Sequence, residues 1–267
     1  MKTTKTKVHF IGKYLLQPAN PLTVNLIGAG GTGSHVLTVL AKIHTSLIAL
    51  QHPGLFVRVF DEDIVTSANR GRQLFADAET GLPKAVALIN RVNCFFGTDW
   101  KAVTMEFNKA NSTRLQGSKA HITVSCVDKV QARFEIAEIL QQQNKHNGYY
   151  RDNACYLMDF GNGRHTGQVV LATIGKIEQP ASKKFITVDS LPLPTEEFKE
   201  LFEAAKEDNT PSCSLAEALT KQDLFINASL ADLGGSLLWQ LLSEGVIENR
   251  GFFLNLRTLK TEPLKVA

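Results

Sequence analysis

Cysteine is scarce in this chain of 267 residues, and its four copies (Cys94, Cys126, Cys155 and Cys213) form no C-x-x-C pair. That scatter excludes the usual zinc-ribbon ligand set and offers no disulfide framework. It suits a reducing, cytoplasmic setting. Long apolar runs are missing as well. No stretch reaches the roughly 18 residues of a spanning helix, which argues against a membrane partner. Lys2, Lys5 and Lys7 are followed by neither an apolar stretch nor a small-residue cleavage site, so the start of the chain does not read as a signal peptide. An excess of one charge is also lacking. The net charge is +3 and the longest basic run is Lys183-Lys184, too little to imply nucleic acid or a membrane surface as partner. The seven histidines include no H-x-x-x-H pair.

What is present is an alternation of short apolar runs with helical patterns. Residues 22 to 28 read as a buried strand, and Val36, Leu37, Leu40, Ile43, Leu47 and Ile48 fall at helical spacing over 33 to 50. LFVRVFD is a second strand ending at Asp61, KAVALINRV is helical, AVTMEF is extended, and ITVSCV is a strand that stops at Asp128. Val130 to Leu140 continues as a helix, and YLMDFG and QVVLATIG are further strands. The fold class is therefore α/β: a Rossmann-like, mainly parallel sheet with helices on both faces. It continues into a C-terminal mixed or antiparallel extension, with SLADLGGSLLWQLL helical and GFFLNLRTLKTEPLKV extended. One domain over 1–267 is expected, with a nucleotide-binding core at 1–175, a loop-rich insertion at 176–214 and C-terminal helices and strands at 215–267.

Between Val24 and Val36 the chain reads VNLIGAGGTGSHV, in which Gly28, Gly30, Gly31 and Gly33 fall within six residues. A glycine-rich turn from strand to helix gathers backbone N–H groups at the helix's positive end, where anions bind. Alone it fits any dinucleotide, or a turn that merely packs helix against strand. Asp61-Glu62-Asp63 closes the second strand, where a carboxylate can accept hydrogen bonds from ribose hydroxyls. An NAD-linked oxidoreductase would need only these two features. Three more follow: NRGRQ (Asn69 to Gln73), GLPK ending at Lys84, and VSCVD ending at Asp128. Arg and Lys can neutralise phosphates, and a strand-end Asp can hold Mg²⁺ through one carboxylate. A nucleoside triphosphate needs those groups and a dehydrogenase does not.

In order, these motifs resemble the ThiF/MoeB/ubiquitin-activating-enzyme superfamily, whose pattern is GxGGxGS, DxD, SNLxRQ, GxxK and a strand ending in TDN. Gly28, Gly30, Gly31, Gly33 and Ser34 match the loop, and Asp61 and Asp63 the acidic pair. Asn69, Arg72 and Gln73 match the third motif, Lys84 the fourth and Asp128 the last. The wording of VHFIGKYL, GRQLF, NCFFGTDW and PSCSLAEALTKQDLFIN is similar to the ThiF-type member of bacterial PRTRC systems. The resemblance implies ATP-dependent adenylation of the C-terminal carboxylate of a ubiquitin-like protein, with ATP and Mg²⁺ as cofactors, a homodimer, and a conjugating-enzyme-like partner. It gives catalytic roles to Arg72, Lys84 and Asp128, with Asp128 the metal ligand, and orienting roles to Asn69 and Gln73. Cys213, before a helix in NTPSCS, matches the crossover-loop cysteine that accepts the acyl group as a thioester.

The chain departs from that family in four places. Lys129 replaces the Asn after the metal-binding Asp, and Arg70-Gly71 replaces Leu-x of SNLxRQ. The zinc-holding C-x-x-C pairs are missing, so no zinc is expected. The first 23 residues hold no arginine, which removes the family's N-terminal trans arginine and leaves Lys13 as a weak substitute. A non-catalytic scaffold for the ubiquitin-like partners is a further alternative. Cys94, Cys126 and Cys155 are expected in the core, and Phe95-Phe96 and Trp100 in the core or facing a partner.

Overall fold

A computed structural model describes residues 5–70, 73–111, 114, 119–145, 153–204 and 222–267. Its centre is an eight-stranded sheet built on β2 (Leu22–Ile27), β3 (Leu55–Phe60), β4 (Lys101–Val103), β5 (Ile122–Ser125) and β6 (Tyr156–Asn162). These five run parallel in the order β4-β3-β2-β5-β6. Three antiparallel strands extend the β6 side: β7 (Thr166–Thr173), β10 (Asn249–Asn255) and β11 (Lys260–Lys265). A small second sheet joins β1 (Lys7–Phe10) to β8 (Ile186–Thr187) and β9 (Val246–Ile247), tying the start of the chain to the far end of the fold.

The central strands read as unbroken apolar runs because both of their faces are covered. Val24, Leu26, Val57, Val59, Ile122, Val124, Met158 and Phe160 point into one cluster, while Ile27, Phe60, Leu157 and Ala172 point into another. The first cluster is closed by α2 (Gly31–Ala49), α3 (Lys84–Phe96) and the long C-terminal helix Ile226–Glu244. The helix Val130–Lys145 closes the second through Ile136, Ala137, Ile139 and Leu140. Trp100 lies in the core, and its indole N–H donates to the Leu55 carbonyl at 3.0 Å.

Three expectations need adjustment. The first helix starts at Gly31, so two of the loop's glycines form its first turn. Of the expected extended stretch AVTMEF only Ala102 and Val103 pair, in the strand Lys101–Val103. Cys94 is exposed rather than in the core, because α3 buries Ala85, Ala87, Leu88, Ile89 and Val92, and Cys94 falls outside that stripe. Cys126 and Cys155 are half-buried, and burial drives both thiols up, Cys155 to about 11.

The Ile226–Glu244 helix packs against α2 and β6 with glycine at the contacts. A Cβ on Gly235 would overlap Val39, and one on Gly234 would sit 2.6 Å from the Phe160 ring. Gly235→Ala is therefore expected to cost about 1–3 kcal/mol through overpacking. Urea denaturation monitored by circular dichroism checks this, and an unchanged midpoint would refute the close-packing account.

Candidate active site

The order of the parallel strands reverses between β2 and β5, and ligands of open α/β sheets gather at the carboxyl ends beside such a reversal. Four strand ends are stitched together at this point. Gly28 N–H donates to the Phe60 carbonyl at 2.9 Å, Cys126 N–H to the Ile27 carbonyl at 2.8 Å, and Asp61 N–H to the Val103 carbonyl at 3.1 Å. The glycine loop leaves β2 here and turns into α2.

The four glycines divide into two kinds. Gly28 has φ +91°, and a Cβ on it would stand 2.9 Å from the Cys126 carbonyl oxygen. A Cβ on Gly33 would overlap the carbonyl oxygen of Gly28, and one on Gly31 would meet the Asn227 amide at 2.6 Å. These three are small for reasons internal to the protein. Gly30 alone faces open space, and the helix it caps has no side-chain cap and no acidic residue in its first turn. Its first N–H groups are left for an anion.

Asp61 locks this loop. Its Oδ2 accepts the Ala29 N–H at 2.6 Å and its Oδ1 the Asp63 N–H at 2.9 Å. Burial pushes its carboxyl above the usual aspartate range, against the opposing pull of the Ala29 N–H and the Lys84 charge. Asp63 is exposed, and its Oδ2 accepts from Lys84 Nζ at 2.7 Å while its backbone carbonyl accepts the Lys84 N–H at 2.8 Å. The Lys84 side chain is 9% exposed, so a mostly buried ammonium is presented at the acidic turn. Asp63, expected beside the cofactor, is here the partner that holds Lys84.

Ser34 belongs to the same unit: its hydroxyl donates to the Gly31 carbonyl at 3.0 Å and accepts the Leu74 N–H at 3.2 Å. It pins the end of NRGRQ to the glycine loop. Gln73 is buried there, with its Oε1 making no hydrogen bond. Asn69 is turned back on its own short 3₁₀ segment, accepting the Thr66 N–H at 2.8 Å. Asp128 stands exposed just beyond the end of β5. Lys13 lies exposed on the short helix α1 (Lys13–Leu16). Arg72 and Cys213 lie outside the described residues.

Two features of the site escaped sequence reasoning. Asn227, fully buried, accepts from Thr32 Oγ1 at 2.9 Å and Asn162 Nδ2 at 2.6 Å, and donates to Gln222 Oε1 at 3.0 Å. This network ties the glycine-loop helix to β6 and to the C-terminal helix. The second is a buried ion pair of Arg133 with Asp159. An aspartate inside the apolar run YLMDFG is the signal that could have found it, since a charge in such a run needs a partner.

The residues fit a polyphosphate better than a structural metal. The uncapped helix terminus, the open side of Gly30 and the Lys84 ammonium are groups suited to an anionic ligand. Among the described residues no three His, Cys, Asp or Glu side chains cluster as an all-protein metal cage. A single exposed carboxylate at Asp128 suits Mg²⁺, which keeps its waters and is carried largely by phosphate oxygens.

Fold and site define a doubly wound α/β protein whose glycine-rich loop opens a helix beside the reversal of strand order. The chain belongs to the ThiF family, whose model matches residues 3–243. Comparison with curated proteins found no match. Among solved structures the chain is similar to selenomethionine PaaA, at 13% identity and a TM-score of 0.60, covering 94% of this chain and 65% of that one. It is also similar to Escherichia coli MccB crystallised with ATP, at 14% identity and a TM-score of 0.56, covering 94% and 64%. A third is E. coli MccB with AMPCPP and MccA, at 14% identity and a TM-score of 0.58, covering 94% and 65%. The chain thus spans just under two thirds of the length of the solved chains it matches.

The two kinds of glycine separate in their responses to alanine. Gly33→Ala is expected to lower stability by more than about 2 kcal/mol through steric overlap, whereas Gly30→Ala has room and should melt within a few degrees of the parent. Thermal denaturation of the two variants checks this, and similar losses in both would overturn the division.

Proposed function

We propose that this chain adenylates a carboxylate, with ATP as co-substrate. The observation that carries the reading is Lys84, a nearly buried ammonium held by Asp63 beside the glycine loop. NAD chemistry has no use for such a group at this place, whereas a triphosphate does. The acceptor in this reading is the C-terminal carboxylate of a protein or peptide, and the resemblance of the motifs favours a small ubiquitin-like protein. The similar MccB structures carry ATP and the MccA chain, which supports a polypeptide acceptor.

The chemistry follows from charge. A carboxylate is already ionised, so no general base is required. One of its oxygens attacks the α-phosphorus of ATP, the bond to the bridging oxygen of the β-phosphate breaks, and pyrophosphate leaves with the electron pair. The product is an acyl-adenylate, a mixed anhydride open to later attack. The barrier lies in negative charge gathering on the phosphates, which preorganised cations and N–H groups offset. Lys84 and Arg72 supply positive charge, the first turn of α2 supplies N–H groups, and Asp61 accepts from ribose. Asn69 and Gln73 orient phosphates or the incoming carboxylate. Asp128 would hold Mg²⁺, which neutralises the leaving pyrophosphate.

Thioester transfer to Cys213 is the second step in this reading. We further read the chain as one adenylation domain working as a homodimer in the bacterial cytoplasm, beside a conjugating-enzyme-like partner. Support for these last points comes from the resemblance of the chain.

ATP–pyrophosphate exchange with a candidate acceptor present tests the reaction. The parent should exchange, and Asp128→Ala and Lys84→Met should each lose about 10²-fold or more, with melting temperatures unchanged for the exposed Asp128. Full exchange by Asp128→Ala would remove the metal assignment. Mg·ATP, and not NAD, should raise the melting temperature; stabilisation by NAD alone would return the oxidoreductase reading. Ribose binding through an ionised Asp61 also predicts a pH dependence. Because burial raises this carboxyl, nucleotide affinity should begin to fall on acidification while still above the ordinary aspartate value of 3.8. Calorimetric titration at several pH values measures it.

A further inference from the structure

We propose that Arg133, through its buried pair with Asp159, is a positioning residue that sets the direction in which Asp128 leaves β5; the inference rests on the proposed role of Asp128. β5 and β6 run side by side only as far as Ser125 and Asp159. There β5 turns away, while β6 continues through Asn162 paired with β7. At the parting, a gap opens between β6 and the departing segment. Arg133, on the helix that follows β5, fills the gap with its guanidinium. One arm pairs with the Asp159 carboxylate. The other donates to the Phe160 carbonyl at 2.9 Å and to the Val127 carbonyl at 2.6 Å. Val127 is the residue immediately before Asp128.

The energetics point to geometry rather than stability as the purpose of the pair. Both side chains are buried, Arg133 to 8% exposure and Asp159 to 3%. Desolvating two such charges roughly cancels their attraction, and apolar residues of similar volume often serve the fold as well or better. What apolar residues cannot do is donate to two carbonyls at once. A planar guanidinium with its fixed fork of donors fastens three points of main chain and side chain in one plane. Without it, the Val127 carbonyl loses the donor that ties it to β6. An exposed carboxylate meant to meet a metal–phosphate unit gains precision from this hold.

The experiment separates positioning from folding and from the proposed function. Arg133→Met combined with Asp159→Leu keeps the volume and removes the donors, and Arg133→Lys keeps the charge and removes the fork. We expect both proteins to fold with melting temperatures near the parent's. In the nucleotide-free proteins, amide hydrogen exchange over residues 126–130 should rise about tenfold, with the strand interiors of β2 and β7 unchanged. The Mg²⁺-dependent gain in ATP affinity, measured by calorimetry with and without the metal, should fall about 10–100-fold. Parent-like exchange over 126–130 together with parent-like metal dependence would overturn the proposal. So would loss of the fold in both variants, which would make the pair a stability element. A parent protein that binds no Mg·ATP would instead refute the proposed function, while the exchange rates would still judge the hold of Arg133 on Val127.

Discussion

The hydrogen bond from the Ala29 N–H to the Asp61 carboxylate is the contact on which the site depends. Four glycines within six residues could adopt many backbone paths, and their conformational freedom works against a single one. Asp61 selects one path by joining the end of β3 to the loop after β2, two strands paired in register along their whole length. The same carboxylate accepts the Asp63 N–H, which sets the turn that holds Lys84. One side chain thereby aligns the helix terminus, the acidic turn and the ammonium. Removing it would leave the glycines free and the lysine without a fixed partner.

Buried polarity is spent sparingly elsewhere, and mostly at seams between elements. Arg58 donates to Asn25 across β2 and β3 at 3.0 Å. His9 bridges the small sheet to β6, within 2.7 Å of the Val188 carbonyl and 2.8 Å of the Tyr156 hydroxyl. The Thr32–Asn162–Asn227 network joins the two ends of the chain's core beside the glycine loop. Each is satisfied locally, as buried polar groups must be. At the site itself the Gln73 oxygen is buried without a hydrogen-bond partner, as are the Ser125 and Thr123 hydroxyls of β5.

Much of the fold was legible because parallel strands covered on both faces leave a signal that needs no partner to be read. VNLIG, VRVFD and ITVSCV are apolar runs that stop at the glycine loop, at Asp61 and before Asp128, and helical periods separate them. β1 was not legible: its four residues gain strand character only from β8 and β9, which lie some 180 and 240 residues further on. Cys94 was misjudged because an apolar neighbourhood in sequence says nothing of which face of a helix a residue occupies. The site motifs were visible in order, whereas the contacts that their residues make inside the protein were not. Asp63 holds Lys84, Ser34 pins Leu74, and Gly31 makes room for Asn227.

Sequence by itself determined the class of fold, the placement of Asp61 and Asp128 just past the ends of strands, and the glycine-rich turn that leads from strand to helix. Those follow from periodicity and from charge at the ends of buried runs, both local properties of the chain. Tertiary structure alone decided which glycine borders open space, which carboxylate restrains the lysine, and that Arg133 and Asp159 meet. Those depend on distances between elements far apart in the chain, and such distances exist only once the sheet has fixed the order of its strands.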